Sequence, residues 1–132
     1  MLAGLSEWLD AYGRAWQQRD PVAAAELFTE DALYQWGPFG RRLRGRVMIR
    51  EAWAEALEQQ DNVDFGYEVL SATSRGGIVR WWAGADVAQR SVRTCAEGIA
   101  RIRFDDSGLC DCFEQWWNSD EQPLEGASTA AT

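Results

Sequence analysis

The chain has 132 residues, which suffice for one domain with a hydrophobic core and leave no room for a second. Its formal net charge of −8 argues against attraction to nucleic acid phosphates. No apolar run approaches the ~20 residues that cross a bilayer, so neither nucleic acid nor a membrane is an expected partner. The expected location is the cytoplasm, because Glu7 and Asp10 interrupt the apolar stretch that a signal peptide would need.

The first part of the chain predicts two helices and a short strand. Apolar residues recur at helical spacing in the first helix, at Leu5, Trp8, Leu9, Tyr12 and Trp16. This helix is predicted to end near Arg19. Asp20-Pro21 is typical of a helix start, with Asp as the cap and Pro at the first helical position, and the second helix is predicted over 22–28. Alternation then predicts a strand over 32–36.

The middle and end of the chain predict a third helix and four long strands. Helical spacing of apolar residues extends over 46–60. The period then changes to two, which predicts strands over 63–69, 78–90, 94–104 and 109–117. Helices followed by antiparallel strands favour an α+β domain.

The composition changes after Trp117, and this change sets the predicted domain boundary. Residues 119–132 are mostly small or polar and offer little apolar area to offset the entropy of ordering. We therefore predict a single domain over 1–118 and a flexible C-terminal tail over 119–132. The basic cluster over 41–46 is interpreted as a solvated loop.

The chain shows no sequence signature of a metal or cofactor. Its three cysteines, Cys95, Cys110 and Cys112, are accompanied by no histidine, so a zinc site would lack its usual ligands. Neither a GxGxxG motif nor a phosphate-binding loop is present. We therefore expect no metal and no cofactor.

Several short motifs, weak one by one, are specific in combination. They are Asp20-Pro21, the runs 27–32 and 43–53, Gly98-Ile99 before Arg103-Phe104-Asp105, and Glu114-Gln115-Trp116-Trp117. Together they resemble the nuclear transport factor 2-like superfamily, which includes SnoaL-like polyketide cyclases and ketosteroid isomerases. The resemblance implies a cone-shaped fold, in which a strongly curved, mostly antiparallel sheet wraps around three N-terminal helices and leaves a deep pocket. It also implies a homodimer, for which we predict an interface on the outer sheet face with Trp82, Ile99 and Trp116.

Large aromatic side chains and one amide are predicted to converge on the pocket and to contact a hydrophobic small molecule. They are Tyr12, Trp16, Tyr34, Trp36, Trp53, Trp81, Gln115 and Trp117. The alternative interpretation is that the aromatic rings simply fill the core.

Enzymes of this superfamily that move protons commonly use an Asp or Glu in an apolar pocket, where burial raises the carboxyl pKa. By that resemblance the candidate catalytic residues are Asp31 and Glu97. Strand alternation places Glu97 on the charged face with Arg101 and Arg103, and a bulge near Gly98 would be needed to turn it inward.

Two functions stay open at this point. The chain is either a small-molecule-binding protein that also works as a cofactor-independent acid–base enzyme (isomerase, cyclase, lyase or hydrolase), or a non-catalytic ligand-binding or protein-interaction module. A buried carboxylate that faces the cavity would favour the enzyme. An apolar or filled cavity would favour the module.

Overall fold

The computed structural model describes residues 4–124, and within them three α-helices precede or interrupt a six-stranded sheet. The α-helices are α1 (Leu5–Gln17), α2 (Pro21–Ala25) and α3 (Arg46–Leu57), and one short 3-10 helix spans Ala88–Arg90. The strands are β1 (Phe28–Gln35), β2 (Arg42–Arg44), β3 (Asp61–Thr73), β4 (Gly76–Val87), β5 (Val92–Phe104) and β6 (Cys110–Pro123). This order confirms the α+β class. None of the described helices is long and apolar enough to cross a membrane.

The second helix starts where the sequence predicts and ends earlier. The Asp20 side chain caps it by accepting a hydrogen bond from the Ala23 backbone N–H at 3.0 Å. The prediction that this helix reaches Phe28 is wrong, because the Leu27 carbonyl accepts bonds from the Trp8 indole and the Cys110 backbone, each at 2.9 Å. Those contacts draw the chain into β1 at Phe28.

The sheet has the strand order β2-β1-β6-β5-β4-β3. All neighbouring strands are antiparallel except β1 and β6, which are parallel, so the predicted mostly antiparallel sheet is confirmed. Alternation holds along β5, where Ala100, Ile102 and Phe104 are buried and the residues between them are exposed. The buried face packs against the helices, and the sheet does not close on itself.

Helix α1 lies close against β3 because residue 13 is a glycine. A side-chain carbon at Gly13 would lie 2.7 Å from the ring of Phe65, which is too close for a real contact. On its other faces α1 contributes Trp8, Leu9 and Tyr12 to the core. The helix therefore fills the concave side of the sheet and forms one wall of the space beyond it.

The last strand runs further than the predicted domain boundary at residue 118. Residues 119–123 belong to β6 and pair with β5, from Ala96↔Ser119 to Val92↔Pro123. Their side chains are exposed and, apart from Pro123, polar, so the backbone ladder orders this segment without the apolar burial on which the prediction depended. The remainder of the predicted tail, residues 125–132, lies outside the described residues.

The arginine-rich segment is also more ordered than a solvated loop. It contains β2, whose Leu43 is buried, and Arg46 donates two hydrogen bonds to the Phe28 carbonyl, at 3.0 and 2.6 Å. Arg46 therefore connects the start of α3 to the first residue of β1.

Candidate functional site

A pocket of about 460 Å³ opens between α1, α3 and the inner face of β1, β4, β5 and β6. Pockets of ~300–1,000 Å³ are typical of sites for small organic ligands. The structure brings to its walls all eight side chains that the sequence predicts as ligand contacts, namely Tyr12, Trp16, Tyr34, Trp36, Trp53, Trp81, Gln115 and Trp117. The aromatic residues therefore border a cavity and also belong to the hydrophobic core or pack against it.

The positions of these rings follow from helix and strand periodicity. Tyr12 and Trp16 lie four residues apart on α1 and so share one face, whereas Tyr34 and Trp36 lie two apart on and just after β1. Trp53 of α3 meets both sets. Its ring centroid lies 5.1 Å from that of Trp16 and 5.4 Å from that of Trp36. These contacts fix the rings as a rigid aromatic wall.

The hydroxyl groups of Tyr12 and Tyr34 form a hydrogen bond of 2.8 Å inside the protein. The two residues are only 4% and 1% exposed, and Tyr34 stacks on Phe113 with ring centroids 4.7 Å apart. Burial, followed by the neighbouring Tyr34, raises the pKa of Tyr12 well above its usual value. Burial also raises the pKa of Tyr34, against the opposing effect of its bond to Tyr12. Both hydroxyls are therefore neutral hydrogen-bonding groups over the whole physiological pH range.

The backbone carbonyl of Trp36 holds two side chains of β6. It accepts a hydrogen bond from the Gln115 amide Nε2 at 2.7 Å and one from the Trp117 indole Nε1 at 2.6 Å. Trp36 follows β1 directly, so its carbonyl is free of the strand ladder and available to both donors. The orientation of the Gln115 amide beside the tyrosine pair is thereby fixed.

Two indole N–H groups of the pocket walls have no acceptor within residues 4–124. They belong to Trp53 and Trp81, which are 2% and 5% exposed. By contrast, the Trp16 indole donates to the Gln60 side-chain oxygen at 2.9 Å, and the Trp117 indole is engaged as described above. Buried polar groups without a partner are uncommon in folded proteins.

The charged residues that line the pocket are all exposed and lie at its rim. They are Arg41, Glu55, Arg90 and Glu121, and the last two form an ion pair. Within residues 4–124, the two carboxyl groups with shifted pKa values, Asp86 and Asp105, do not line the pocket. Hydrogen bonds, chiefly from Asn62 and Ser107 respectively, lower their pKa values. Among the described residues, no group of His, Cys, Asp and Glu side chains is arranged to hold a metal ion.

The structure does not bring the two predicted catalytic carboxylates into the pocket. Asp31 is exposed and accepts a hydrogen bond from the Thr29 hydroxyl at 3.3 Å. Glu97 lies on the outer face of the sheet in an exposed ion pair with Arg80, at 2.7 Å. The bulge that would turn Glu97 inward is absent, because the β4–β5 ladder runs without a register shift from Gly76↔Arg103 to Val87↔Val92. Neither Asp31 nor Glu97 lines the pocket, which corrects the prediction that both belong to the site.

Several pocket residues were missed by the sequence reasoning. Ser119 and Glu121 line the rim, although they lie in the segment predicted as a tail. The signal was present, because the alternation that places Gln115 and Trp117 inward continues in steps of two to both positions. Arg90 and Gln60 also line the pocket, at positions where the predicted strand over 78–90 and the predicted helix over 46–60 end earlier than expected, at Val87 and Leu57.

Residues 9–111 match the model of a protein family described as a SnoaL-like domain. Among solved structures, a Mycobacterium tuberculosis protein aligns with a TM-score of 0.78 at 13% identity, over 92% of this chain and 98% of that one. The Δ5-3-ketosteroid isomerase from Mycobacterium sp. aligns with a TM-score of 0.75 at 15% identity, over 92% and 100%. SalBIII, an epoxide hydrolase/cyclase-like enzyme of pyran ring formation in salinomycin, aligns with a TM-score of 0.74 at 20% identity, over 86% and 89%. No protein of curated function matches the sequence. At these identities the structural matches establish the shared fold.

Proposed function

Because this chain belongs to the SnoaL-like domain family, whose fold here encloses an aromatic pocket, we propose that it binds a hydrophobic small molecule in that pocket. The observation that carries the proposal is the pocket itself: about 460 Å³ of space, bordered by tryptophan rings, with neutral hydroxyl and amide groups and with charges only at the rim. Such a lining suits a largely apolar body that carries one or two polar groups. The fold is shared with a ketosteroid isomerase and with an enzyme of polyether formation, so polycyclic and polyether compounds are the first ligands to try.

Acid–base catalysis on such a ligand is the second candidate function, in the form of an isomerase, cyclase, lyase or hydrolase without a cofactor. The tyrosine pair favours it, since a buried neutral phenol can donate a hydrogen bond to an oxygen atom on which negative charge develops. A general base is harder to assign. The carboxylates nearest to the cavity are Glu55 and Glu121 at the rim, and Glu121 is already paired with Arg90. This distribution favours binding as the main function.

Thermal unfolding against a panel of polycyclic, steroid-like, terpenoid and aromatic-acid compounds tests the binding proposal. A ligand at about 100 times its Kd stabilises the folded state by about 2.7 kcal/mol, which raises the Tm by several degrees. Ala96→Leu should abolish the shift, because Ala96 lines the pocket and the larger side chain occupies the space. Ala88→Leu, on an exposed turn outside the pocket, is the matched control and should retain the shift. A panel without any shift, or an equal shift in Ala96→Leu, would contradict the proposal.

We also propose that the chain forms a homodimer through the outer sheet face. That face exposes Trp82 and Trp116, at 40% and 44%, beside the cross-strand neighbour Ile99. Apolar groups gathered in this way commonly mark an interface. Trp116→Glu should shift the mass measured by light scattering at micromolar concentration from dimer to monomer, and a monomeric wild-type protein would contradict the proposal. A cytoplasmic location stays a prediction from the sequence.

A further inference from the structure

The side-chain oxygen of Gln115 is a hydrogen-bond acceptor that the protein leaves unused. The amide nitrogen Nε2 of this residue donates to the Trp36 carbonyl oxygen at 2.7 Å. A carbonyl oxygen can only accept hydrogen bonds, so this contact fixes which end of the amide is nitrogen and which is oxygen. Within residues 4–124, no group donates a hydrogen bond to the oxygen Oε1 of Gln115.

This oxygen remains accessible although its residue is buried. Within residues 4–124, the buried side-chain nitrogen and oxygen atoms that lack a hydrogen-bond partner are the indole nitrogens of Trp53 and Trp81. Gln115 Oε1 lacks a partner and is not among these buried atoms, so part of its surface is open. Gln115 as a whole is only 6% exposed and lines the pocket. The open part of Oε1 therefore belongs to a space inside the protein.

That space is the pocket of about 460 Å³. Gln115 also borders a void of about 10 Å³, but no polar atom is exposed to that void. A void of this size is also too small for an organic ligand. The acceptor on Gln115 is therefore within reach of a molecule bound in the pocket.

The side chains around Gln115 offer no hydrogen-bond donor in place of a ligand. Ala100 lies directly opposite on β5 and is fully buried, and Phe113 precedes Gln115 by two residues on the same face of β6. Trp117 follows by two residues, but its indole N–H is already bonded to the Trp36 carbonyl at 2.6 Å. An acceptor that loses water and gains no donor disfavours binding, so a ligand that fills this part of the pocket must supply the donor itself.

The charges around the pocket limit the kind of donor. The carboxylates that line it, Glu55 and Glu121, are exposed at the rim, and none accompanies Gln115 in the buried part of the described pocket. An ammonium group beside Gln115 would lose its hydration without a compensating negative charge. A neutral O–H or N–H group loses less hydration and still satisfies the amide oxygen.

We infer that Gln115 Oε1 accepts a hydrogen bond from a neutral O–H or N–H group of the ligand. The pocket thus selects apolar compounds that carry an alcohol, a phenol or an amide N–H, and Gln115 is a residue that determines this specificity. The inference rests on the proposed small-molecule binding and names the chemical class of the ligand. The Trp36 carbonyl has a positioning role, because it turns the amide so that its oxygen is left for the ligand.

Two probes of nearly the same shape test the inference. 2-Naphthol and 2-methylnaphthalene differ in that only 2-naphthol donates a hydrogen bond. Gln115→Met removes the acceptor and keeps a side chain of similar length. Isothermal titration should show that the ratio of 2-naphthol affinity to 2-methylnaphthalene affinity is about tenfold lower in Gln115→Met than in the wild type, as expected for the loss of one buried hydrogen bond.

Gln35→Met is the matched control, since Gln35 is likewise buried but does not line the pocket. It should keep the wild-type ratio. Because both probes are measured on each variant, a general loss of affinity cancels in the ratio. A measurement on the wild type alone does not depend on the folding of a variant. In ¹³C-labelled protein, the side-chain carbonyl signal of Gln115 should move downfield with 2-naphthol and not with 2-methylnaphthalene.

The possible outcomes separate this inference from the proposed function. An unchanged ratio in Gln115→Met, or equal carbonyl shifts with both probes, would contradict the inference and leave the binding function standing. A ligand panel in which only compounds without an O–H or N–H group raise the Tm would do the same. If only a larger hydroxyl compound binds, its affinity should fall about tenfold in Gln115→Met and not in Gln35→Met. No binding of either probe and no shift from the panel would contradict both proposals.

Discussion

The buried tyrosine pair makes a quantitative prediction about stability. In Tyr34→Phe the Tyr12 hydroxyl stays buried and loses its hydrogen-bond partner, which costs about 1–3 kcal/mol of unfolding free energy. In Tyr12→Phe the Tyr34 hydroxyl keeps the nearby Gln115 amide, whose hydrogen bond also acts on its pKa. The cost of Tyr12→Phe should therefore be the smaller of the two. At about 4 °C of Tm per kcal/mol for a chain of this length, both differences are measurable.

The double variant separates a hydrogen bond from simple packing. Tyr12→Phe with Tyr34→Phe leaves no orphaned hydroxyl and keeps both rings, so it should cost about 1 kcal/mol or less, well below the sum of the single variants. Urea unfolding followed by circular dichroism gives all four free energies. Tyr67→Phe is the control, because its hydroxyl bonds Asp10 at 2.8 Å in an exposed position where water can replace it. Additive costs, or single variants as stable as the wild type, would refute the reasoning.

Three other predictions concern the same core. A side-chain carbon at Gly98 would lie 2.4 Å from the Trp116 carbonyl oxygen, so Gly98→Ala should lower the free energy of unfolding in urea by about 1–3 kcal/mol. Gly84→Ala is the control and should cost less, because the added carbon meets only the flexible end of Arg93, at 2.8 Å. Equal costs of the two substitutions would contradict this reasoning. Burial raises the pKa values of the Cys110 thiol and of both pocket tyrosines, so the unfolded state releases these protons at a lower pH than the folded state does. The free energy of unfolding should therefore fall as the pH rises above about 9. The double Tyr→Phe variant should show a shallower fall. An aromatic disulfide reagent should modify exposed Cys95 quickly and buried Cys110 only on unfolding, as mass spectrometry of the labelled protein would check.

Much of the fold and of the pocket wall could be predicted because periodicity is local information. The four-residue step from Tyr12 to Trp16 and the two-residue step from Gln115 to Trp117 place side chains on faces, and the structure keeps those faces. Asp31 and Glu97 do not line the pocket, although they were predicted as catalytic residues. Their candidacy came from the chemistry of the superfamily, whereas the alternation on β5 already turned Glu97 outward.

Long-range pairing explains what the sequence did not show. The parallel contact of β1 with β6 joins segments about 80 residues apart, and no local pattern specifies it. Strand β2 has only three residues, two of them arginine, and exists because β1 lies beside it. The segment 119–123 is likewise ordered by its ladder to β5 and not by its own composition.

The two hydrogen bonds at the Trp36 carbonyl hold Gln115 and Trp117 in place, whereas the Trp36 ring contributes to the shape of the pocket. The acceptor is a main-chain atom, so Gln115 and Trp117 keep their anchor whatever side chain occupies position 36. The Trp36 ring, half-buried at the wall, can therefore be exchanged for rings or chains of other sizes while the polar framework behind it persists. Position 36 is accordingly a place where the ligand range of the pocket can change, in nature or in a designed library, while these two hydrogen bonds are kept.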